Sequence, residues 1–155
     1  MAIQCESYDR PAQPVLMIRK QAAVQNLPQV LGEAYGMLAQ YLGEIGETPA
    51  GAPYVAYFNM DMQALDIEIG FPVGRVLPGR DVILAGEIPG GKIVTSLHIG
   101  PYSECGPAYQ AMNEWVQAHG YEAAGPAYEF YLNDPQETPP AELKMQIVFP
   151  LKAKS

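Results

Sequence analysis

A single carboxylate, Glu129, stands inside the string Tyr128-Glu129-Phe130-Tyr131. In an extended strand side chains alternate, so Glu129 shares a face with Tyr131 while Tyr128 and Phe130 take the other. A carboxylate among rings is costly to withdraw from water unless a cation or a donor meets it. A phenol supplies the donor, and its ring face attracts a cation. Two chemistries suit that arrangement: a counter-charge for a cationic ligand, or a general base whose pKa is raised by an apolar pocket. The plain alternative is a glutamate on a solvated sheet face. The chain also holds ten Tyr, four Phe and one Trp. Tyr35, Tyr54, Tyr57, Tyr102 and Trp115 are candidate walls of a ligand site beside Glu129 and Tyr131. Most such rings pack a core, but each tyrosine hydroxyl needs a partner, so a group of them suggests a wet or ligand-filled cavity. Glu68 is a second acidic candidate, in an alternating stretch where a solvent-facing role is the simpler account.

Other chemistries find no support in the residues. Cys5 and Cys105 are isolated, His98 and His119 are the only histidines, and no C-x-x-C occurs, so no metal site and no cofactor are expected. Spacing supports neither a Ser–His–acid nor a Cys–His arrangement, and His98 reads as structural. The net charge is −8, with only 9 scattered Lys and Arg. Direct nucleic-acid binding, which needs a basic stripe, is not expected. The acidic balance mildly favours cationic partners. No stretch is long and apolar enough to span a membrane, and Met1–Ser7 lacks the pattern of a signal peptide, so a cytoplasmic protein is expected.

The elements that must position these residues come in two copies. Gly51-Ala52-Pro53-Tyr54-Val55-Ala56-Tyr57-Phe58-Asn59 recurs as Gly125-Pro126-Ala127-Tyr128-Glu129-Phe130-Tyr131-Leu132-Asn133, an offset of 74. Upstream, Tyr35 falls on Tyr109, Leu38 on Met112, Tyr41 on Trp115 and Gly46 on Gly120 at the same offset. Cys105 falls on Leu31, which favours an apolar role for it. Downstream, Ile69-Gly70-Phe71-Pro72-Val73 answers Ile147-Val148-Phe149-Pro150-Leu151 at an offset of 78, implying a longer turn in the second copy. The asymmetry of interest is Val55 against Glu129.

Periodicity fills in each copy. Pro11–Val24 reads as extended. Leu27–Ile45 carries apolar residues three and four apart, the spacing of a helix, with Gly46 as its stop. Strands are expected at Tyr54–Phe58 and Leu65–Val73, with Asn59–Ala64 as the turn. A further strand at Val82–Ile88 turns through Pro89-Gly90-Gly91 into Lys92–Ile99. Ser103 is the expected N-cap of a helix running to His119, which Gly120 ends. Strands at Ala127–Leu132 and Glu142–Pro150 complete the copy.

The expected fold class is α+β: tandem strand-helix-strand-strand units with pseudo-twofold symmetry, an antiparallel sheet with two helices on one side, and a central ligand cleft. Residues 1–155 form one domain, with repeat units at about 11–75 and 80–152.

The string His98-Ile99-Gly100-Pro101-Tyr102, the helix through Trp115, Tyr128-Glu129-Phe130-Tyr131-Leu132 and Phe149-Pro150-Leu151 resemble the GyrI-like small-molecule-binding domain. That domain is the effector-binding part of AraC- and MerR-type multidrug regulators. The resemblance runs from about Val15 to Leu151. It implies a groove between the halves, with Glu129 meeting cationic drugs and Tyr102 lining the same pocket. No helix-turn-helix fits the short N-terminus, so a stand-alone member is expected. Three functions follow from the resemblance. The first is capture of lipophilic, aromatic or cationic small molecules. The second is hydrolysis of strained cyclopropane-containing toxins by Glu129 and Tyr102. The third is a gyrase-inhibitor-like protein interaction, with gyrase or a regulator as partner.

Overall fold

Period-two runs and two stripes at helical spacing bury their apolar sides together only when helices lie on strands. The computed structural model describes residues 3–59, 61–134 and 136–153. Among them nine strands and two α-helices follow one another in an α+β arrangement: β1 (Glu6–Arg10), β2 (Gln13–Ala22), α1 (Leu27–Glu44), β3 (Tyr54–Tyr57), β4 (Leu65–Pro72), β5 (Leu84–Ile88), β6 (Gly91–Ile99), α2 (Gly106–Ala118), β7 (Tyr121–Ala123), β8 (Ala127–Tyr131) and β9 (Lys144–Ala153). The chain divides into two compact units. One is Ala12–Pro89, and the other joins the segments before and after it.

In the unit Ala12–Pro89, β4 pairs antiparallel with β2 on one side and β3 on the other, and β5 pairs with the far edge of β2. Helix α1 packs on β4, where the Tyr35 ring meets Phe71 edge-on at 5.3 Å. By the strand period Ile67 and Ile69 share that face, while Glu68 and Gly70 point away from the helix. Leu27, Ala34, Leu38, Tyr41 and Leu42 are the buried stripe of α1. Three glycines, Gly32, Gly36 and Gly43, face open space, so packing of the stripe rather than helix propensity holds this element. Gly46 stops it at φ +72°, a left-handed geometry that suits glycine.

In the other unit β9 is central, flanked by β6 and β8, with β7 along its end and β1 beyond β6. Met145, Ile147, Phe149 and Leu151 of β9 join Val94 of β6 and Ala108, Met112 and Val116 of α2 in one apolar cluster. Gln146 and Val148 therefore face the opposite side of the strand.

The change in offset along the repeat has a visible cause. The Asn59 amide donates to the Ala64 carbonyl, and its oxygen accepts the Asp66 N–H, clamping the β3–β4 turn. Asn133 does the same to the Glu142 carbonyl and the Lys144 N–H across the β8–β9 turn. One clamp spans a short loop and its counterpart a longer one, so the strands after it stay in matching register. Met60 and Pro135, within the two expected turns, lie outside the described residues.

Two local expectations differ from the structure, and two strands lie where none was expected. Ser103 is not the cap of α2: Tyr102–Glu104 form a 3-10 turn and the helix begins at Gly106, after Cys105. Pro107, whose fixed φ suits the first helical turn, sets that start. The strand expected from Val82 begins at Leu84 and belongs with β2, because Arg80 and Ile83 first close a tight bridge. Strands β1 and β7 carry no alternating apolar signal; β1 is Glu-Ser-Tyr-Asp-Arg, exposed along most of its length. No helix among the described residues is long and apolar enough to cross a membrane.

Met112 is fully buried in the α2–β9 cluster. Met112→Ala leaves a cavity there and is expected to cost about 2–5 kcal/mol of stability, read as a lower urea midpoint with an unchanged m-value.

Candidate functional site

Strand β8 places Glu129 and Tyr131 on the face that β9 turns to α2, since Glu129 pairs with Ile147 and Tyr131 with Met145. Tyr109 of α2 donates its hydroxyl to Glu129 Oε2. Tyr131 donates to Oε1 at 2.9 Å. Both carboxylate oxygens thus accept phenol hydroxyls, and neither donor cancels the charge. Such charge-assisted bonds are among the stronger ones available to a half-buried anion. In the other copy Tyr35, the counterpart of Tyr109, donates instead to the backbone carbonyl of Tyr54 at 2.8 Å. The helix tyrosine thus donates to a backbone carbonyl in the copy with Val55 and to a carboxylate in the copy with Glu129.

Tyr102 closes one side of the cluster, its ring 5.2 Å from that of Tyr131. Its hydroxyl is buried and has no hydrogen-bond partner among the described residues. Burial pushes Tyr102 ionisation above the ordinary tyrosine range, and the charges of Asp134 and Glu129 push it further. The phenol therefore stays protonated, as a donor in need of an acceptor. Cys105, where α2 starts, feels Glu129 too: burial first and that carboxylate second raise its thiol pKa. It packs against the apolar cluster and is not an activated nucleophile.

The remaining sequence candidates are distributed differently. Trp115 lies further along α2 than Tyr109 and stacks on His119 at 4.0 Å and on Tyr121 at 6.1 Å. His98 donates from Nε2 to the Pro101 carbonyl, bracing the turn that presents Tyr102. Tyr57 pairs with Ile67 and so shares the α1 side of its unit, whereas Tyr54 pairs with Gly70 and faces away. Tyr54 is fully buried and donates to Glu68 Oε2 at 2.5 Å. Glu68 is only 8% exposed, contrary to the solvent-facing account of it. Burial raises its pKa, opposed first by the Tyr54 hydrogen bond and then by the charge of Arg19. The structure thus brings Glu129, Tyr131 and Tyr102 together and sets Tyr54 with Glu68 on another face.

Tyr109 is the residue that sequence reasoning missed as a site member. Its signal was present in the repeat: it sits on the α2 stripe at the position of Tyr35, one turn past the helix start. An open groove of about 710 Å³ lies on the same unit, lined in part by Leu97, Ile99, Leu132 and Gln146, and it does not include Glu129. No group of three or more metal-ligating side chains assembles among the described residues.

Comparison with known proteins adds three findings. Residues 4–152 match the family model described as the GyrI-like small molecule binding domain. Among solved structures, EcmrR in its DNA complex is similar at 22% identity and TM-score 0.85, covering 99% of this chain. This chain spans 58% of the length of that EcmrR chain. A structure described as a hydrolase from Listeria innocua is similar at 17% identity and TM-score 0.73, covering 96% of this chain and 92% of its own. SAV2435 bound to tetraphenylphosphonium is similar at 13% identity and TM-score 0.58, covering 98% of this chain and 94% of its own. At these identities the similarities establish the fold. None of the curated proteins matches this chain.

Glu68 supplies a pH-dependent expectation. Its folded pKa lies above the ordinary 4.5, so its contribution is complete below about pH 4.5 and is lost as pH rises through the folded value. The charged or titratable groups acting on it are Tyr54 of β3 and Arg19 of β2. Relative to Glu68→Gln, the wild-type protein should lose stability over that rise, as followed by urea denaturation at stepped pH.

Proposed function

The chain belongs to the GyrI-like small-molecule-binding family, and we propose that it binds lipophilic cations with Glu129 as their counter-charge. The observation that carries this reading is the doubly phenol-held carboxylate. Tyr109 and Tyr131 fix both of its oxygens while leaving its charge in place. Apolar burial supplies most of the affinity for such a ligand, roughly 25 cal/mol per Å² before association costs. The carboxylate selects cations among molecules of similar apolar shape. Tyr102, whose hydroxyl has no partner among the described residues, adds a donor for any acceptor the ligand carries. SAV2435, bound to tetraphenylphosphonium, is a relative in fold whose ligand has this chemistry.

A second reading, hydrolysis of strained cyclopropane compounds, is favoured by the same Tyr102 hydroxyl lying in the field of Glu129. Water's oxygen bonds a ring carbon and its proton passes to Glu129. The ring C–C bond breaks, and its electron pair takes the proton of Tyr102. Return of the proton from Glu129 to Tyr102 restores both groups, and the sum is addition of one water.

Isothermal titration separates charge recognition from apolar burial. Glu129→Gln should weaken tetraphenylphosphonium about tenfold, or ~1.4 kcal/mol, and leave neutral triphenylphosphine oxide unchanged. Equal losses for the two would remove the counter-charge role. For hydrolysis, incubation with a cyclopropane-bearing electrophile should yield a ring-opened hydrate, and Tyr102→Phe should abolish turnover while retaining binding. Intact compound recovered from the wild-type protein rejects the second reading.

A further inference from the structure

A length of strand edge stands bare in the unit that carries Glu129. Strand β6 runs from Gly91 to Ile99, but β1 covers its outer side only from Gly91 to Thr95. Before Glu6 the chain turns out of the ladder toward α2. The Gln4 carbonyl accepts the Ser96 hydroxyl at 2.9 Å, and Cys5 packs against the α2 cluster. Leu97 and Ile99 therefore have β9 on one side and, among the described residues, no strand on the other.

Their backbone groups point to the open side. Along an antiparallel ladder, residues that bond to one neighbour alternate with residues that bond to the other. The Gly100 N–H meets the Leu143 carbonyl on the β9 side at 2.7 Å. By alternation His98 also bonds toward β9, and Leu97 and Ile99 present N–H and C=O outward. No backbone hydrogen bond from a described residue answers them there.

Exposed edges are ordinarily blunted with charge. The outer strand β1 follows that rule with Glu6, Asp9 and Arg10. The bare stretch breaks it, for Leu97 is 49% exposed and Ile99 57%. With Leu132 they line the groove of about 710 Å³, which opens where β1 ends. Its described lining holds Glu6 and Glu104 and neither Lys nor Arg. Both carboxylates are exposed, and neither enters an ion pair among the described residues.

We propose that this edge is a docking site for an extended segment of a basic polypeptide, which adds as a short strand beside Leu97–Ile99. Its backbone takes up the outward N–H and C=O groups. Its apolar side chains, at alternate positions, cover Leu97, Ile99 and Leu132, and its lysines or arginines meet Glu6 and Glu104. A second copy of this chain suits the edge poorly. It would bring acids against acids, between molecules of net charge −8 each. A compact apolar cation would leave the row of backbone groups unanswered. The groove does not include Glu129, so this docking stands apart from the ligand reading given above.

The test is nitrogen-15 NMR with amide hydrogen exchange on the full chain, using a capped peptide of about eight residues in which lysine and valine alternate. The Leu97 and Ile99 amides should gain at least about tenfold protection on addition, while His98, already bonded to β9, keeps its own. A matching glutamate–valine peptide should leave both amides unchanged. Ile99→Pro removes one outward N–H and spares the β9 ladder. It should weaken the lysine–valine peptide about tenfold and leave tetraphenylphosphonium binding unchanged. Where Ile99→Pro fails to fold, Ile99→Lys serves, repelling the peptide by charge with the same expected loss. Leu97 and Ile99 amides that exchange freely in saturating peptide overturn the proposal, wherever else the peptide binds. Protection of both amides before peptide is added overturns it too, because a second copy or another segment of the chain then holds the edge.

Discussion

A carboxylate half withdrawn from water is the constraint around which the second copy is arranged. The ion loses hydration when it enters a ring-lined face, and only donors already in position offset that loss. Two phenols from different elements supply them: Tyr131 from the same strand, two residues on, and Tyr109 from the helix above. For both to reach one carboxyl, α2 has to sit on β9 in a fixed register. The apolar cluster of Met112, Met145, Ile147 and Phe149 sets that register. Packing and polar satisfaction are therefore the same requirement seen from two sides. A helix shifted by one residue would rotate Tyr109 by about 100° and leave the carboxylate short of a donor.

Much of this was legible in the chain. The repeat places Tyr109 over the strand that carries Glu129, because Tyr35 lies over the equivalent strand in the copy where Val55 takes the place of that acid. Period-two alternation in Leu65–Phe71 and helical spacing in Leu27–Leu42 give elements within a residue or two of those observed. Resemblance to a known family then names the class of ligand, and the family match over residues 4–152 bears out that recognition. What periodicity does not contain is who donates to whom. Tyr109, Tyr131 and Tyr54 are indistinguishable as letters, yet two serve one carboxylate and the third serves another on a different face.

Glu68 is the instructive failure of pattern reasoning. Alternation with apolar neighbours in a strand ordinarily marks the solvated side of a sheet. Here both sides of β4 are covered, and the polar member of the alternation is buried with them. The sign that Glu68 differs is Gly70, two positions on, whose missing side chain admits a phenol. An isolated glycine within a strand pattern is a cue to close approach, but its partner, Tyr54, lies on another strand and is identified only by register. Likewise β1 and β7 escape detection because their stability comes from edges supplied by β6 and β9, not from their own residues.

Duplication explains why a chain of this length can carry two acids at separate places. Each copy inherits the same tyrosines at the same ladder positions, so each offers a phenol wherever a carboxylate arises nearby. Among the many positions where the copies differ, three bear on these acids. Valine against glutamate decides whether the helix tyrosine bonds backbone or acid. Glutamate in place of glutamine, with glycine in place of valine two residues on, accompanies the bond from the strand tyrosine Tyr54 to Glu68. In both cases a phenol held by its own element meets the acid, which lowers the cost of burying the charge. The paired Asn59 and Asn133 clamps keep the strands in matching register while their loops differ in length, so such substitutions act on a fixed frame. A shared scaffold can thus hold unshared acids, each in a donor setting of its own.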